Sequence, residues 1–310
     1  MFFALQTWPL VWTVGQYGVI PFCCQRGATE EAEEPLSLDA ASFGGFVHDV
    51  LRRAVDALED GNGLARATPT EIEYAIGRAI DELANSWVTK QPVPPHLIWQ
   101  RTLESAKTLA LKALDRELPA LPGQSSWTEI PFGIGPPCRN DLPWDATVRV
   151  EIPGTGLRIR GYIDRLDVSG DRRRARVLDY KTGRVRSKQA EVILGGGAEL
   201  QRCLYALAVR TLLKHDVRVE AALLFLRAEP GEGLFPLGDI TETLDNLAQA
   251  LAIARTNLDS GLALPGIDAA NQFNDFAFAL PANANGSYLV RKDDAIRSRL
   301  GAATEIWDMA

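Results

Sequence analysis

Between residues 40 and 118 apolar side chains return every three or four positions, and from 127 to 226 the spacing shortens into strand-like runs. The first regime predicts helices. Phe43, Val47, Val50, Leu51, Ala54 and Leu58 form one stripe from about Ala40 to Leu58, with Asp39 placed to cap it. Ile72, Ile76, Ile80, Leu83 and Trp87 form a second stripe behind Thr70, and a third helix runs roughly from His96 to Leu118. Pro92-Val93-Pro94-Pro95 separates the last two, because proline lacks the N–H that a helix interior needs. The second regime predicts strands over Trp127–Phe132, Thr147–Ile152, Leu157–Val168, Ala175–Tyr180 and Val217–Leu226. Pro131 gives the first an edge position or an early stop, and the near-continuous apolar run of the last suits a strand covered on both faces. Helices are expected over Glu199–Leu213 and Leu244–Leu258, with a short final one near Asp293–Leu300.

Chemistry concentrates in two of these runs. Gly161-Tyr-Ile-Asp164-Arg-Leu-Asp167 and Val177-Leu-Asp179-Tyr-Lys181-Thr-Gly183 flank the turn-forming quartet Ser169-Gly-Asp-Arg172, so they read as the arms of a hairpin. With the turn centred between Asp171 and Arg172, antiparallel pairing sets Asp164 opposite Asp179. Alternation then places Asp179 and Lys181 on one face and Leu178 and Tyr180 on the other. Two carboxylates and an ammonium on one sheet face make a hard-cation site with a positive group beside it. His48 falls near the apolar stripe of the first helix, where a lone histidine is ordinarily a packed core residue. Gln201 and Tyr205 lie four apart and share a helix face.

Composition narrows the function less than charge distribution does. The 310 residues, 46% apolar, can bury a sizeable core as one elaborated domain or two small ones. A net charge of −7 does not mark a nucleic-acid binder, yet Arg158–Lys188 holds eleven Lys/Arg against four Asp/Glu. Such a band either tracks phosphates, since nearby charge sets the local field, or is a solvated hairpin tip. Cys23, Cys24, Cys138 and Cys203 show no paired metal spacing and no disulfide framework, which fits a reducing cytoplasm. The uncharged first 25 residues lack a basic n-region and are interrupted by Gln6, Pro9, Gly15, Gln16, Gly18 and Pro21. They predict a buried or poorly ordered segment, neither a signal peptide nor a membrane span. No Gly-x4-Gly-Lys-Ser/Thr loop is present, so no ATP-driven motor is expected.

In order along the chain stand Gly44-Gly-Phe-Val-His48, Glu129 on its strand, Gly161-Tyr-Ile-Asp164-Arg, Asp179-Tyr-Lys181-Thr-Gly183 and Gln201-x-x-x-Tyr205. With these motifs residues 36–230 resemble the RecB/AddB-type branch of the PD-(D/E)XK nuclease superfamily. The resemblance implies an α/β (α+β) fold with a restriction-endonuclease-like core, a central mixed sheet flanked by helices and an added N-terminal helical layer. On that reading residues 1–35 are a segment of unclear structure. Residues 36–262 are the nuclease domain with a helical insertion at about 62–120, and 263–310 are a tail corresponding to a degenerate cluster-binding region. It further implies Mg²⁺ or Mn²⁺ held by His48, Asp164, Asp179 and the Tyr180 backbone carbonyl. Lys181 orients or deprotonates water or neutralises the phosphoryl group. Glu129 is an additional acid, and Gln201 and Tyr205 border the cleft and hold the lysine. Arg165, Arg184, Arg186 and Lys188 are candidate phosphate contacts.

Many relatives close this domain with an iron–sulfur cluster held by cysteines. Here Asn271, Asn274 and Leu280 stand where the downstream cysteines would, and neither an amide nor a leucine supplies a thiolate, so no cluster is expected. The expected function is a cytoplasmic, metal-dependent deoxyribonuclease, exonuclease rather than endonuclease. It would act on single-stranded or unwound DNA in repair or recombination, beside a separate helicase subunit and away from membranes. The alternative is a catalytically weak or inactive DNA-binding or scaffolding subunit of a helicase–nuclease complex, since fold alone does not decide turnover.

Overall fold

A computed structural model describes residues 3–7, 10–14, 35–114, 118–134, 141–185, 199–214, 216–262, 280–281 and 287–308. A hairpin of β1 (Phe3–Thr7) and β2 (Leu10–Val14) opens the chain, where the sequence predicted a buried or poorly ordered segment. Three helices follow: α1 (Ala40–Glu59), α2 (Pro69–Val88) and α3 (His96–Leu114). Asp39 caps α1 as expected, accepting from the amides of Ala41 and Ser42. The cap of α2 is Thr68 rather than Thr70. Pro69 takes the first helical position and Thr68 and Glu71 exchange a reciprocal capping box, a stronger start signal than a threonine two residues on.

Five strands make the central sheet: β3 (Ser125–Phe132), β6 (Gly161–Val168), β7 (Arg174–Lys181), β8 (Arg218–Phe225) and β9 (Leu234–Pro236), side by side in that order. Only β7 and β8 run parallel. A parallel neighbour needs a crossover, which α4 (Gln201–Leu212) provides. β3 is an edge strand, consistent with Pro131. The run expected as one strand over Leu157–Val168 is broken at Arg160: β5 (Leu157–Ile159) pairs with β4 (Val150–Ile152) in a separate ribbon before β6 begins. Helices α5 (Ile240–Asp259) and α6 (Leu289–Leu300) follow, with a 3₁₀ turn over Gly301–Asp308.

The sheet separates two apolar cores. On one face α1, α2 and α3 pack Phe46, Val50, Leu51, Ile76 and Ala110 against Tyr180 and Leu226. On the other, α4 packs Leu204, Tyr205 and Val209 against Ile163, Leu166, Val177 and Val219, with Val150, Ile152 and Ile159 of the β4–β5 ribbon. Among the described residues no helix is long and apolar enough to cross a membrane.

Candidate metal centre

The β6–β7 hairpin turns where the sequence centres it. Val168 pairs with Ala175 and Arg165 with Leu178, and one further step along that register sets Asp164 opposite Asp179. The Asp171 carboxylate fastens the turn, accepting from Ser169 Oγ at 2.6 Å and from the Arg173 amide at 3.0 Å. At the open end of the hairpin Asp164 Oδ2 accepts the Tyr180 amide at 2.8 Å, which locks the two acidic positions across the strands.

Glu129 reaches the same point from β3 through a fault in the ladder. The β3–β6 register runs to Thr128↔Arg165 and resumes at Ile130↔Ile163, stepping over Glu129 and Asp164. Glu129 has φ +48°, a left-handed value that costs a side-chain-bearing residue about 1–3 kcal/mol and persists where the surroundings over-determine it. The strand rotates there. Thr128 Oγ1 donates to the Arg52 carbonyl of α1, whereas Ile130 and Phe132, two and four residues on, sit in the α4-side core.

Helix α1 supplies the last member. Gly44 in its first turn leaves room at the end of β7, where an added Cβ would stand 3.3 Å from Thr182 Oγ1. One turn later His48 lies with Nδ1 3.3 Å from Glu129 Oε1 and 3.7 Å from Asp164 Oδ2, and Nε2 3.3 Å from the Tyr180 carbonyl. Among the described residues His48, Glu129 and Asp164 each offer a ligand atom within 4.8 Å of the others. Asp179 is 1% exposed; Lys181 Nζ is 2.6 Å from its Oδ2, and its Oδ1 accepts no hydrogen bond from any described residue. A buried carboxylate with an unpartnered oxygen beside a second carboxylate and an imidazole fits a divalent cation, whose charge compensates what the protein leaves unpaired.

In the metal-free protein the imidazole takes that part. Burial works against its charge, but Asp164 and Glu129 outweigh burial and push the pKa from 6.5 up to about 9. Burial, then the neighbouring Asp179, raises Asp164 from 3.8 to about 7. A metal bound there would displace protons. We expect divalent-ion affinity to climb between pH 6 and pH 9, at up to about a hundredfold per pH unit below 7, where Asp164 and His48 both give up protons, and up to about tenfold above it, with a shallower slope in His48→Gln, as read by calorimetric titration. The sign for stability is opposite. The pairing of the His48 imidazolium is fully present below 6.5 and lost as pH rises through 9, and the penalty of ionised Asp164 is absent below 3.8 and complete above 7. The metal-free fold should thus weaken as pH rises.

Lys181 is braced from two sides, by Asp179 and by Gln201 Oε1 on α4, to which its ammonium donates. Burial opposes its charge, yet Asp179 prevails and raises its pKa, so it stands as an ammonium. Tyr205, one turn after Gln201, is fully buried and bonded to Gln201, and burial holds its phenol well above 10. Its place is behind Gln201 on the same helix face.

The remaining expected residues divide. Arg165 is no phosphate contact: it is buried, with Nε and Nη2 on the two oxygens of Asp167 at 2.8 and 3.0 Å. The rotation of the strands at Asp164 turns it into the helical layer. Arg184 is exposed beyond the end of β7. Arg186, Lys188, Asn271 and Asn274 lie outside the described residues. Two residues the sequence reading passed over also stand here. Arg227 donates to the Thr182 carbonyl at 2.7 Å and stacks over Phe43, and Glu199, mostly buried at the start of α4, ion-pairs with Arg202. Neither has a sequence signal beyond its charge.

A mixed sheet with a metal-type cluster at the open end of an acidic hairpin, and a lysine two residues after its second carboxylate, defines a phosphodiester-hydrolysing class of site. Residues 23–276 match the family model of the PD-(D/E)XK nuclease superfamily, and the chain belongs to that superfamily. Membership implies a metal-dependent nuclease. A search of the curated proteins returned no match.

Proposed function

We propose that the protein is a deoxyribonuclease of the RecB/AddB-type branch that uses Mg²⁺ or Mn²⁺ and acts on single-stranded or unwound DNA in repair or recombination, alongside a helicase. The observation that carries the chemistry is the meeting of His48, Glu129 and Asp164 next to the half-unpartnered Asp179 and the braced Lys181. A divalent ion held by His48, Asp164, Asp179 and the Tyr180 carbonyl supplies Lewis-acid charge and lowers the pKa of water. The chain's own part is positional and electrostatic. Asp164 and Asp179 gather negative charge where the cation binds, and Glu129 holds the imidazole by its Nδ1 edge. Lys181, as an ammonium, suits stabilisation of charge growing on a phosphoryl oxygen better than abstraction of a proton.

The test is incubation of end-labelled single- and double-stranded DNA, linear and circular, with each metal and with EDTA. Metal-dependent loss of linear single strands, with circles spared, is the expected outcome. Salt-sensitive binding with no cleavage in either metal would establish the scaffold alternative instead.

A further inference from the structure

Arg227 stands at the rim of the metal centre and has no part in holding it. It follows β8 directly: Phe225 pairs with Lys181, and the Leu226 amide donates to the Lys181 carbonyl at 2.9 Å. One step on, Arg227 Nε donates to the carbonyl of Thr182, the residue after the lysine, at 2.7 Å. Its guanidinium lies over the Phe43 ring, 5.5 Å from the centroid. Phe43 belongs to the first turn of α1, just over one turn before His48, and Gly44 beside it lets the helix close on Thr182. The ends of β7 and β8 and the start of α1 therefore meet at Arg227, on the side of the sheet from which His48 comes.

A carbonyl and a ring hold Arg227, and neither cancels its charge. The residue is exposed, and among the described residues no carboxylate pairs with it and no group accepts from its two Nη atoms. Lys112 of α3 reaches the next carbonyl in the same manner, with Nζ 3.2 Å from Ala228 O and no carboxylate against it among the described residues. Glu229 and Glu232, in the turn towards β9, make no ion pair with either cation. Immobilising an arginine costs side-chain entropy, and here the ring and the carbonyl have already imposed that loss. The result is a fixed, uncompensated guanidinium with its outer edge free.

We infer that Arg227 is a substrate-positioning residue whose Nη groups take the phosphate next to the one at the metal centre, with Lys112 adding charge behind it. A planar guanidinium matches two phosphate oxygens at once, whereas Lys181 is already committed to Asp179 and the reacting position. Arg227 is two residues past Phe225, so it lies about 7 Å beyond the level of Lys181 along the strand direction. That offset suits a neighbouring phosphate of the same polynucleotide. This contact presupposes the nuclease reading and gives it a subsite outside the metal centre.

The experiment compares Arg227→Gln, Arg227→Lys and a control, Arg172→Ala on the exposed hairpin turn, with wild type in the full chain. Binding of a fluorescein-labelled oligodeoxynucleotide is read by anisotropy in EDTA across a salt series. Arg227→Gln, which can still donate to the Thr182 carbonyl, should bind about tenfold more weakly and lower the salt slope by about one phosphate contact. Arg227→Lys should keep the slope, and Arg172→Ala should match wild type. Mn²⁺ affinity, read by calorimetry, should stay at the wild-type value in all three. Unchanged oligonucleotide affinity and slope in Arg227→Gln overturn the contact, as does wild type that fails to bind at low salt. A loss of Mn²⁺ affinity in Arg227→Gln also overturns it, because Arg227 would then be a brace for α1. Cleavage in Mn²⁺ is scored separately. Arg227→Gln should lose about tenfold in kcat/KM on the oligonucleotide and hydrolyse bis(p-nitrophenyl) phosphate, a diester with no neighbouring phosphate, at the wild-type rate. Equal losses on both substrates overturn the contact. The expected binding pattern without cleavage keeps the contact and removes the nuclease reading; cleavage with unaltered variant binding removes the contact alone.

Discussion

Asp179→Ala is expected to lower DNA cleavage by about a thousandfold or more, and Lys181→Ala by at least about a hundredfold, with little change in DNA affinity. The two act on one point. Asp179 is buried with an unpartnered oxygen, so its removal would take away a carboxylate proposed to hold the cation and release one brace of Lys181. Lys181 is an ammonium aimed from Asp179 and Gln201, and on the proposed reading the charge it would bring to a phosphoryl oxygen matters mainly as the transition state forms. The rate constant should therefore fall while the Michaelis constant moves little. Gln201→Ala, which keeps Lys181 but removes its second support, should fall between wild type and Lys181→Ala. Retention of a tenth of wild-type cleavage by Asp179→Ala would move the chemistry away from this hairpin.

Asp167→Ala should destabilise the fold by about 3–5 kcal/mol. Asp167 is 0% exposed and holds Arg165 through both oxygens, with Ser126 Oγ at 2.8 Å and Arg176 Nη1 at 3.8 Å. The two arginines extend the network to the carbonyls of Ala113 and Pro119, tying the end of α3 and the following loop to the sheet. Removing the carboxylate leaves two guanidinium groups facing each other away from water, where an unpaired charge is costly. The loss is a large share of the about 5–15 kcal/mol that typically holds a domain together. Urea unfolding checks it. Arg78→Ala, which breaks an exposed pair with Glu82, should cost under about 0.5 kcal/mol by the same measurement.

These two sites explain what was legible. Asp164 and Asp167 lie three apart in one strand and both are acidic, so composition alone treats them alike. The hairpin register identified Asp164 because its partner across the turn is another acid. Nothing local identified Asp167, whose role depends on Arg165 and Arg176 turning into the helical layer with it. Arg165 is illegible for the same reason: a basic band counts charges, and only burial separates an arginine locked to an aspartate from one that meets solvent. The break at Arg160 was missed because Leu157–Val168 has the period of one strand, and leaving β5 for β6 changes the pairing partner without changing the period.

Short-range order was the sequence's to determine. The stripes of α1 and α2, the centring of the hairpin between Asp171 and Arg172 and the shared face of Gln201 and Tyr205 follow from repeats within a few residues. The motifs also settled which residue types would meet. Only the tertiary structure decided how. His48 meets Glu129 across 81 positions and the Tyr180 carbonyl across 132. Such meetings depend on the angle at which a helix crosses the sheet and on one rotated residue in an edge strand. Those quantities are set by the packing of two cores at once, which no local window contains.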